Sequence, residues 1–159
     1  LGLPLERAQE GAERIAFSRW RGDELTLAGD GLLINDAYNA NPVSMCAALD
    51  NLVARAGARR RVAVLGDMAE LGPDAPQYHR EVGDHAAKVG VDVLLAVGPL
   101  AVGYIDGQTE IPVVRHVETV DDAVASLDEL VRPGDCVLVK ASRAMRLETL
   151  ADALAGAAA

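Results

Sequence analysis

Aromatic side chains are scarce in this sequence of 159 residues. It has one Trp, one Phe and three Tyr, yet half of its residues are hydrophobic. The core must therefore consist of Val, Leu, Ile and Ala, which is typical of a buried parallel sheet covered by Ala-rich helices. A chain of this length is long enough for one domain with a sizeable core.

Basic residues are also few, since 15 Lys and Arg face 24 Asp and Glu and give a formal net charge of −9. Nucleic-acid binding needs a basic face, so this balance argues against a nucleic-acid partner. No apolar run approaches the roughly 18 residues of a membrane-spanning helix, and no signal peptide opens the chain. We therefore expect a cytoplasmic protein that binds neither nucleic acid nor membranes.

Metal and nucleotide motifs are absent as well. The two cysteines, Cys46 and Cys136, lack the short spacing of a metal site, so we expect them to be reduced core residues. The three histidines, His79, His85 and His116, share no ligand spacing, so no metal site is predicted. No G-x-x-x-x-G-K-[ST] loop and no G-x-G-x-x-G turn occurs, so the chain has no phosphate cradle of its own.

Strand and helix patterns alternate along the chain. A hairpin signal joins 24–27 to 32–35 through the turn 28–31. The pattern further predicts strands at 61–65, 91–97, around 113 and at 136–139, and helices at 45–56, 77–89, 121–130 and 145–154, with a short helix ending near 105. This alternation predicts an α/β fold with a Rossmann-like, open, mostly parallel sheet and helices on both faces. In such a sheet the loops after successive parallel strands gather at one edge.

The rest of the chain is organised around the stretch 32–45. It begins as an apolar strand, turns polar at Asp36 and restarts as a helix whose beginning is marked by Pro42 and Ser44. Ligands bind at such strand-to-helix turns in α/β proteins, because the first N–H groups of the helix point into the crevice.

Polar side chains occupy this first loop and the loop after the last strand. The first loop offers phenol and amide groups suited to a short peptide, from Tyr38, Asn39 and Asn41. An Asx-turn with a helix cap would also explain them. In the third loop Lys140 and Arg143 flank Ser142 at a helix start, where a carboxylate would meet two cations and a hydroxyl. Arg146, in contrast, is expected to be solvated.

The second loop, 66–76, has several possible roles. Its Asp67 and Glu70 could orient basic neighbours, contact a substrate amine or cap the following turn. His79 comes soon after, near a helix start, where a lone histidine is more often structural than catalytic.

Three segments together resemble one family. Asp-Ala-Tyr-Asn-Ala-Asn-Pro-Val-Ser-Met at 36–45 is similar to the D-x-Y-N-A-N-P-x-S-M segment of the MurF-type Mur ligases, which add D-alanyl-D-alanine to UDP-N-acetylmuramoyl tripeptide. The stretch Leu-Gly-Asp-Met-Ala-Glu-Leu-Gly at 65–72 and Lys-Ala-Ser-Arg-Ala-Met-Arg-Leu-Glu at 140–148 agree in order and spacing. The resemblance covers only the C-terminal domain of such a ligase, so we expect a piece of a longer enzyme. Residues 1–20 then resemble the tail and linker of the central domain, and 21–159 form the C-terminal domain.

The resemblance also implies how the complete enzyme works. In this family the central domain holds ATP and activates the tripeptide carboxylate, which the dipeptide amine then attacks, so ATP and Mg²⁺ serve the complete enzyme. No cofactor is expected on the piece alone, and none of its residues is expected to be catalytic. The resemblance places Arg21 and Asp36 near the ribose of ATP. It places six residues at the D-alanyl-D-alanine: Tyr38, Asn39, Asn41, Lys140, Ser142 and Arg143.

Two residues depart from the family pattern, and two other interpretations stay open. Ala141 stands where the family commonly has a glycine, and Ala37 where Ser or Asp is common, so the shape of the third loop is not fixed by the resemblance. One alternative is a sister ligase, either another Mur ligase or a folylpolyglutamate synthase, against which the segment Tyr-Asn-Ala-Asn-Pro argues. The other is a non-catalytic α/β module that binds a small ligand.

Overall fold

One six-stranded sheet forms the centre of the molecule, with strand order β1-β2-β6-β3-β4-β5. The structure is a computed structural model that describes residues 21–106 and 110–156. Within these residues only the first pair, β1 (Asp23–Leu27) with β2 (Gly31–Asp36), is antiparallel. The other strands pair in parallel: β3 (Arg61–Gly66), β4 (Val93–Val97), β5 (Val113–Val117) and β6 (Cys136–Lys140). The predicted open, mostly parallel sheet is confirmed, whereas the prediction for residues 1–20 lies outside the described residues.

Helices cover both faces of this sheet. They are α1 (Pro42–Ala56), α2 (Ala75–Lys88), α3 (Val120–Leu130) and α4 (Glu148–Gly156). Successive side chains of a strand point to opposite faces. In β6, Leu138 therefore packs with α1 and α2, while Val137 and Val139 pack with α3 and α4. Because both faces are buried, β4 is apolar throughout and β6 is apolar up to its last residue, Lys140.

The α-helices begin one to three residues away from the starts of the predicted apolar patterns. Helix α1 begins at Pro42, as the markers Pro42 and Ser44 predicted, three residues before the apolar periodicity that starts at Met45. The last helix begins at Glu148 rather than at 145, because Arg146 has a φ of 53° and ends a separate 3-10 turn. Within the described ranges no helix has both the length and the apolarity needed to cross a membrane.

Candidate functional site

The first, third and second loops follow β2, β6 and β3, which are neighbours in the sheet. Parallel strands bring their carboxyl ends to the same edge, so the third loop lies between the first and the second. Lys140, the last residue of β6, is in register with Asp36 of β2 on one side and with Leu65 of β3 on the other. The predicted meeting of the loops at one edge is confirmed.

A cavity of about 350 Å³ opens beside the first loop. It is lined by six of the eight predicted site residues: Arg21, Asp36, Tyr38, Asn39, Asn41 and Lys140. Ser142 and Arg143 do not line it. The two residues assigned to the nucleotide therefore share a cavity with four assigned to the dipeptide, and the division between two ligand sides stays a prediction.

Lys140 lies beneath this cavity and is only 2% exposed. Its Nζ donates to Oδ2 of Asp36 at 2.6 Å and to the backbone carbonyl of Asn39 at 2.8 Å. A buried ammonium requires such partners, because its desolvation would otherwise be very costly. Lys140 thus ties the end of β6 to the first loop. Its predicted contact with a ligand carboxylate stays a prediction.

The amide side chains of the first loop form part of the loop itself. Oδ1 of Asn41 accepts from the Ser44 N–H at 2.9 Å, and Oγ of Ser44 accepts from the Asn41 N–H at 3.1 Å, which is a capping box. Oδ1 of Asn39 accepts from the Ala40 N–H at 2.9 Å. Asn41 is therefore the helix cap that the sequence allowed. Asn39 and Asn41 also each carry a side-chain NH₂ group, and the predicted ligand contact depends on the two N–H donors of that group.

Arg21 and Tyr38 form one wall of the cavity. The guanidinium carbon of Arg21 lies 3.9 Å from the centre of the Tyr38 ring, within the range of a cation–π contact. Arg21 precedes β1 and Tyr38 follows β2, so the contact joins two ends of the hairpin. No sequence feature indicated this pair beyond the resemblance, which placed both residues in the site.

In the third loop, Ser142 connects the loops rather than facing the cavity. It is buried, and its Oγ accepts from the Ala69 N–H at 2.8 Å. Its own N–H donates to the Asp67 carbonyl at 3.1 Å. Ser142 therefore joins the third loop to the second.

Arg143 follows directly and is half exposed, with its Nη1 donating to Oε1 of Glu148. Sequence reasoning missed Glu148 as a site residue. The available signal was its place at the end of the family-like segment 140–148.

Ala141 fits because the residue opposite to it is a glycine. A Cβ placed on Gly66 would lie 2.6 Å from Cβ of Ala141, closer than two carbon atoms can approach. Ala141 itself does not have a positive φ. A methyl group at position 141 is thus compatible with the close approach of β3 and β6, since Gly66 supplies the space. Ala37, the other departure from the family pattern, is fully buried in the core shared with α3 and α4.

The second loop holds its neighbours together through Asp67. Oδ1 of Asp67 accepts from the N–H groups of Leu100 and Ala101 at 3.1 and 2.7 Å, which fixes the turn after β4. Burial raises the pKa of Asp67 above its ordinary value, against the opposing effect of these hydrogen bonds.

Glu70 lies in the second loop, and His79 lies on α2 and contacts this loop. Glu70 is exposed and has a φ of 63°. His79 is fully buried, and its Nε2 accepts from the Met68 N–H at 3.0 Å, so the ring proton must lie on Nδ1, which faces the Ala75 carbonyl at 2.6 Å. His79 therefore supports the second loop from α2.

Metal ligands do not gather in residues 21–106 and 110–156, where no group of three or more His, Cys, Asp or Glu side chains comes together. We therefore assign none of these residues to Mg²⁺.

Comparison with known proteins identifies what this arrangement is similar to. The family model described as Mur ligase, glutamate ligase domain, matches residues 21–143. A UDP-N-acetylmuramoyl-tripeptide–D-alanyl-D-alanine ligase of Mycobacterium tuberculosis is 40% identical, over 82% of this chain and 30% of its own length. The chain thus spans about a third or less of the curated relative.

Solved structures agree in fold. A crystal structure of MurF from Acinetobacter baumannii superposes with a TM-score of 0.83 at 31% identity, over 98% of this chain and 34% of that one. MurF of Thermotoga maritima, solved in complex with ADP, has a TM-score of 0.70 at 24% identity, over 91% of this chain and 32% of that one. A bifunctional folylpolyglutamate and dihydrofolate synthase of Yersinia pestis has a TM-score of 0.64 at 19% identity, over 96% of this chain and 35% of that one. At the last two identities the likeness shows the fold alone.

Proposed function

Because this chain belongs to the Mur ligase family, as its glutamate ligase domain, we propose that it works as the C-terminal domain of an ATP-dependent ligase. The complete enzyme adds D-alanyl-D-alanine to UDP-N-acetylmuramoyl tripeptide during peptidoglycan precursor synthesis in the cytoplasm. Support comes from the three family-like segments, which all lie at one edge of the sheet, and from relatives of this activity at 33–40% identity. The chain's role is to bind and orient the dipeptide.

The observation that carries the proposal is the arrangement of the first and third loops. They leave neighbouring strands, and Asp36 and Lys140 are paired in register at their ends. A zwitterionic dipeptide needs a cation for its carboxylate and acceptors or amides near its amine. Arg143 supplies the cation on a half-exposed side chain, and the cavity of the first loop supplies the phenol and amides.

We propose for the site residues the roles that the family resemblance implies. We assign the dipeptide carboxylate to Arg143, with Ser142 and Lys140 as the polar residues beside it. The amine side is assigned to the first-loop residues Tyr38, Asn39 and Asn41. Arg21 and Asp36, which share the same cavity, are assigned to the ribose side of ATP.

Chemistry on the activated carboxylate belongs to the rest of the ligase. ATP, bound with Mg²⁺ in the complete enzyme, supplies the phosphoryl group that activates the tripeptide carboxylate. The residues of this chain have no phosphate loop, so their contribution is to hold the dipeptide amine in a reactive orientation. Such orientation is a large part of the rate enhancement when two substrates must meet.

The test is turnover by the complete protein that carries this domain. Phosphate release from ATP should require both the UDP-N-acetylmuramoyl tripeptide and D-alanyl-D-alanine, and the joined pentapeptide should be detected by mass spectrometry. The 159-residue chain alone is the control, and we expect no phosphate release from it. Turnover with a folate and glutamate instead would assign the chain to the sister ligases. Dipeptide binding by a complete protein that never releases phosphate would indicate a non-catalytic binding module.

A further inference from the structure

Glu148 is a buried carboxylate whose bonding is incomplete. It opens α4 and is 9% exposed. Its Oε1 accepts from Nη1 of Arg143, whereas Oε2 is shielded from solvent and has no hydrogen-bond partner within the described part of the chain. Leaving a buried acceptor unpaired costs free energy, and native proteins contain few such groups. The position of Glu148 therefore calls for an explanation beyond the fold.

Stability of the fold does not supply that explanation. A buried ion pair is often no more stable than apolar side chains of the same volume. A glutamate in the first turn of a helix interacts favourably with the helix dipole, but an exposed carboxylate would gain the same benefit without burial. What Glu148 does that an apolar residue could not is bind the guanidinium of Arg143.

Arg143 is held at both ends by this arrangement. Its backbone belongs to a tight turn, in which the Met145 N–H donates to the Ser142 carbonyl at 2.9 Å and the Arg146 N–H donates to the Arg143 carbonyl at 3.2 Å. Buried Ser142 precedes the turn and fully buried Leu147 follows it. The backbone thus fixes where the side chain begins, and Glu148 fixes where its Nη1 lies.

We propose that Glu148 is a positioning residue that orders the Arg143 guanidinium before a ligand carboxylate arrives. A free arginine side chain populates many rotamers, and ordering one on binding weakens affinity. A guanidinium that is already oriented avoids that loss, while its planar set of five N–H donors allows one carboxylate to hold it and another to bind. The proposal rests on the function proposed above. The opposite hypothesis is that Glu148 competes with the ligand carboxylate for Arg143.

Kinetics of the complete ligase distinguish these two effects. Glu148→Gln keeps the size of the side chain but removes its charge, and we expect it to raise KM for D-alanyl-D-alanine about five- to twentyfold. KM for ATP and kcat should stay within about twofold. In an Arg143→Ala background the same change should add nothing. Asp152→Asn is the matched control, because it removes an exposed carboxylate from the same helix.

Three kinetic outcomes would overturn the proposal. A lower KM for the dipeptide would show competition, and a fall in kcat with unchanged KM would show a merely structural role. Losses that add in full in the double variant would show that Glu148 does not act through Arg143.

A second measurement is independent of turnover. NMR relaxation of the arginine ¹⁵Nε groups in the complete protein should show Arg143 becoming more mobile in Glu148→Gln and unchanged in Asp152→Asn. An equally rigid Arg143 in both variants overturns the positioning role. If the native protein instead shows no dipeptide-dependent turnover, the proposed function fails, while the relaxation comparison still decides whether Glu148 orders Arg143.

Discussion

Nζ of Lys140 lies 2.6 Å from Oδ2 of Asp36, at the carboxyl ends of two adjacent parallel strands. The two residues are 104 positions apart in sequence and meet in register. One was assigned to the dipeptide and the other to the nucleotide. Because they form one ion pair, a change at either residue should affect the use of both ligands.

Replacing Lys140 with Met tests this coupling. The change leaves the Asp36 carboxylate without its cation and frees the Asn39 carbonyl, so the first loop should lose its shape. We expect KM to rise for both ATP and the dipeptide, and the free energy of unfolding to fall by about 3 kcal/mol, as when one partner of a buried pair is removed. Steady-state kinetics and urea denaturation measure the two effects. Lys88→Met, at an exposed lysine, is the control. An unchanged KM for ATP in Lys140→Met would show that Lys140 does not contribute to nucleotide binding.

Sequence patterns were sufficient to predict the sheet and the edge at which the loops meet. Apolar strands alternating with helices have few arrangements available, and parallel strands must bring their carboxyl ends together. The identity of the buried partners was not predictable in the same way. Lys140 ends an apolar strand, and this position suggested a ligand contact. Its partner Asp36 was not predicted, because nothing local in the sequence shows that the two residues come within reach of each other.

Other polar residues show the same limit. The predicted contact of the Ser142 hydroxyl with a carboxylate stays a prediction. The sequence did not indicate that this hydroxyl accepts a hydrogen bond from the Ala69 N–H, because that partner is set by the position of β3 beside β6. Glu148 was missed because a glutamate in the first turn of a helix is normally interpreted as an exposed residue that interacts favourably with the helix dipole. Its burial depends on how α4 packs, which is a tertiary property.

A steric prediction concerns the contact between Gly66 and Ala141. Gly66→Ala would place its Cβ 2.6 Å from Cβ of Ala141, so we expect a loss of about 1–3 kcal/mol in unfolding free energy. Adding Ala141→Gly should recover most of that loss, because it removes the methyl group in the way. Urea denaturation of the two single variants and the double variant measures the coupling. Fully additive losses would mean that the two positions do not share this space.

Asp67 should make stability depend on pH in the acid range. Burial raises its pKa, so between its ordinary and its folded pKa the native state binds more protons than the unfolded state. The contribution of Asp67 to stability therefore falls as pH rises through this window, and it is constant above the folded pKa. Asp67→Asn keeps an Oδ1 acceptor for the Leu100 and Ala101 N–H groups but cannot ionise.

The stability of Asp67→Asn relative to the native chain should consequently increase from about pH 4 upwards and then level off. Thermal unfolding at a series of pH values measures this difference. Asp152→Asn, at an exposed carboxylate on α4, should show no such rise. A relative stability that decreases with pH would mean that hydrogen bonding outweighs burial and that the folded pKa is lowered.

The assignment of the dipeptide carboxylate to Arg143 gives the sharpest test of the site. A hydrogen bond to a charged group contributes roughly 1.5–3 kcal/mol, so Arg143→Ala in the complete ligase should weaken dipeptide use by about ten- to a hundredfold. KM for ATP should change little. Arg146→Gln removes a neighbouring positive charge from an exposed side chain of the same turn and should have a much smaller effect.

Amidation of the dipeptide's C-terminal carboxylate removes the same interaction from the ligand side. The native enzyme should lose about as much activity on the amidated dipeptide as Arg143→Ala loses on the natural one. The variant should lose little more when it is given the amidated dipeptide, because the contact is already absent. The four values of kcat/KM form a double-mutant cycle in which one change lies in the ligand. If the two losses add in full, Arg143 does not contact that carboxylate, and the ion pair with Glu148 must serve the fold instead.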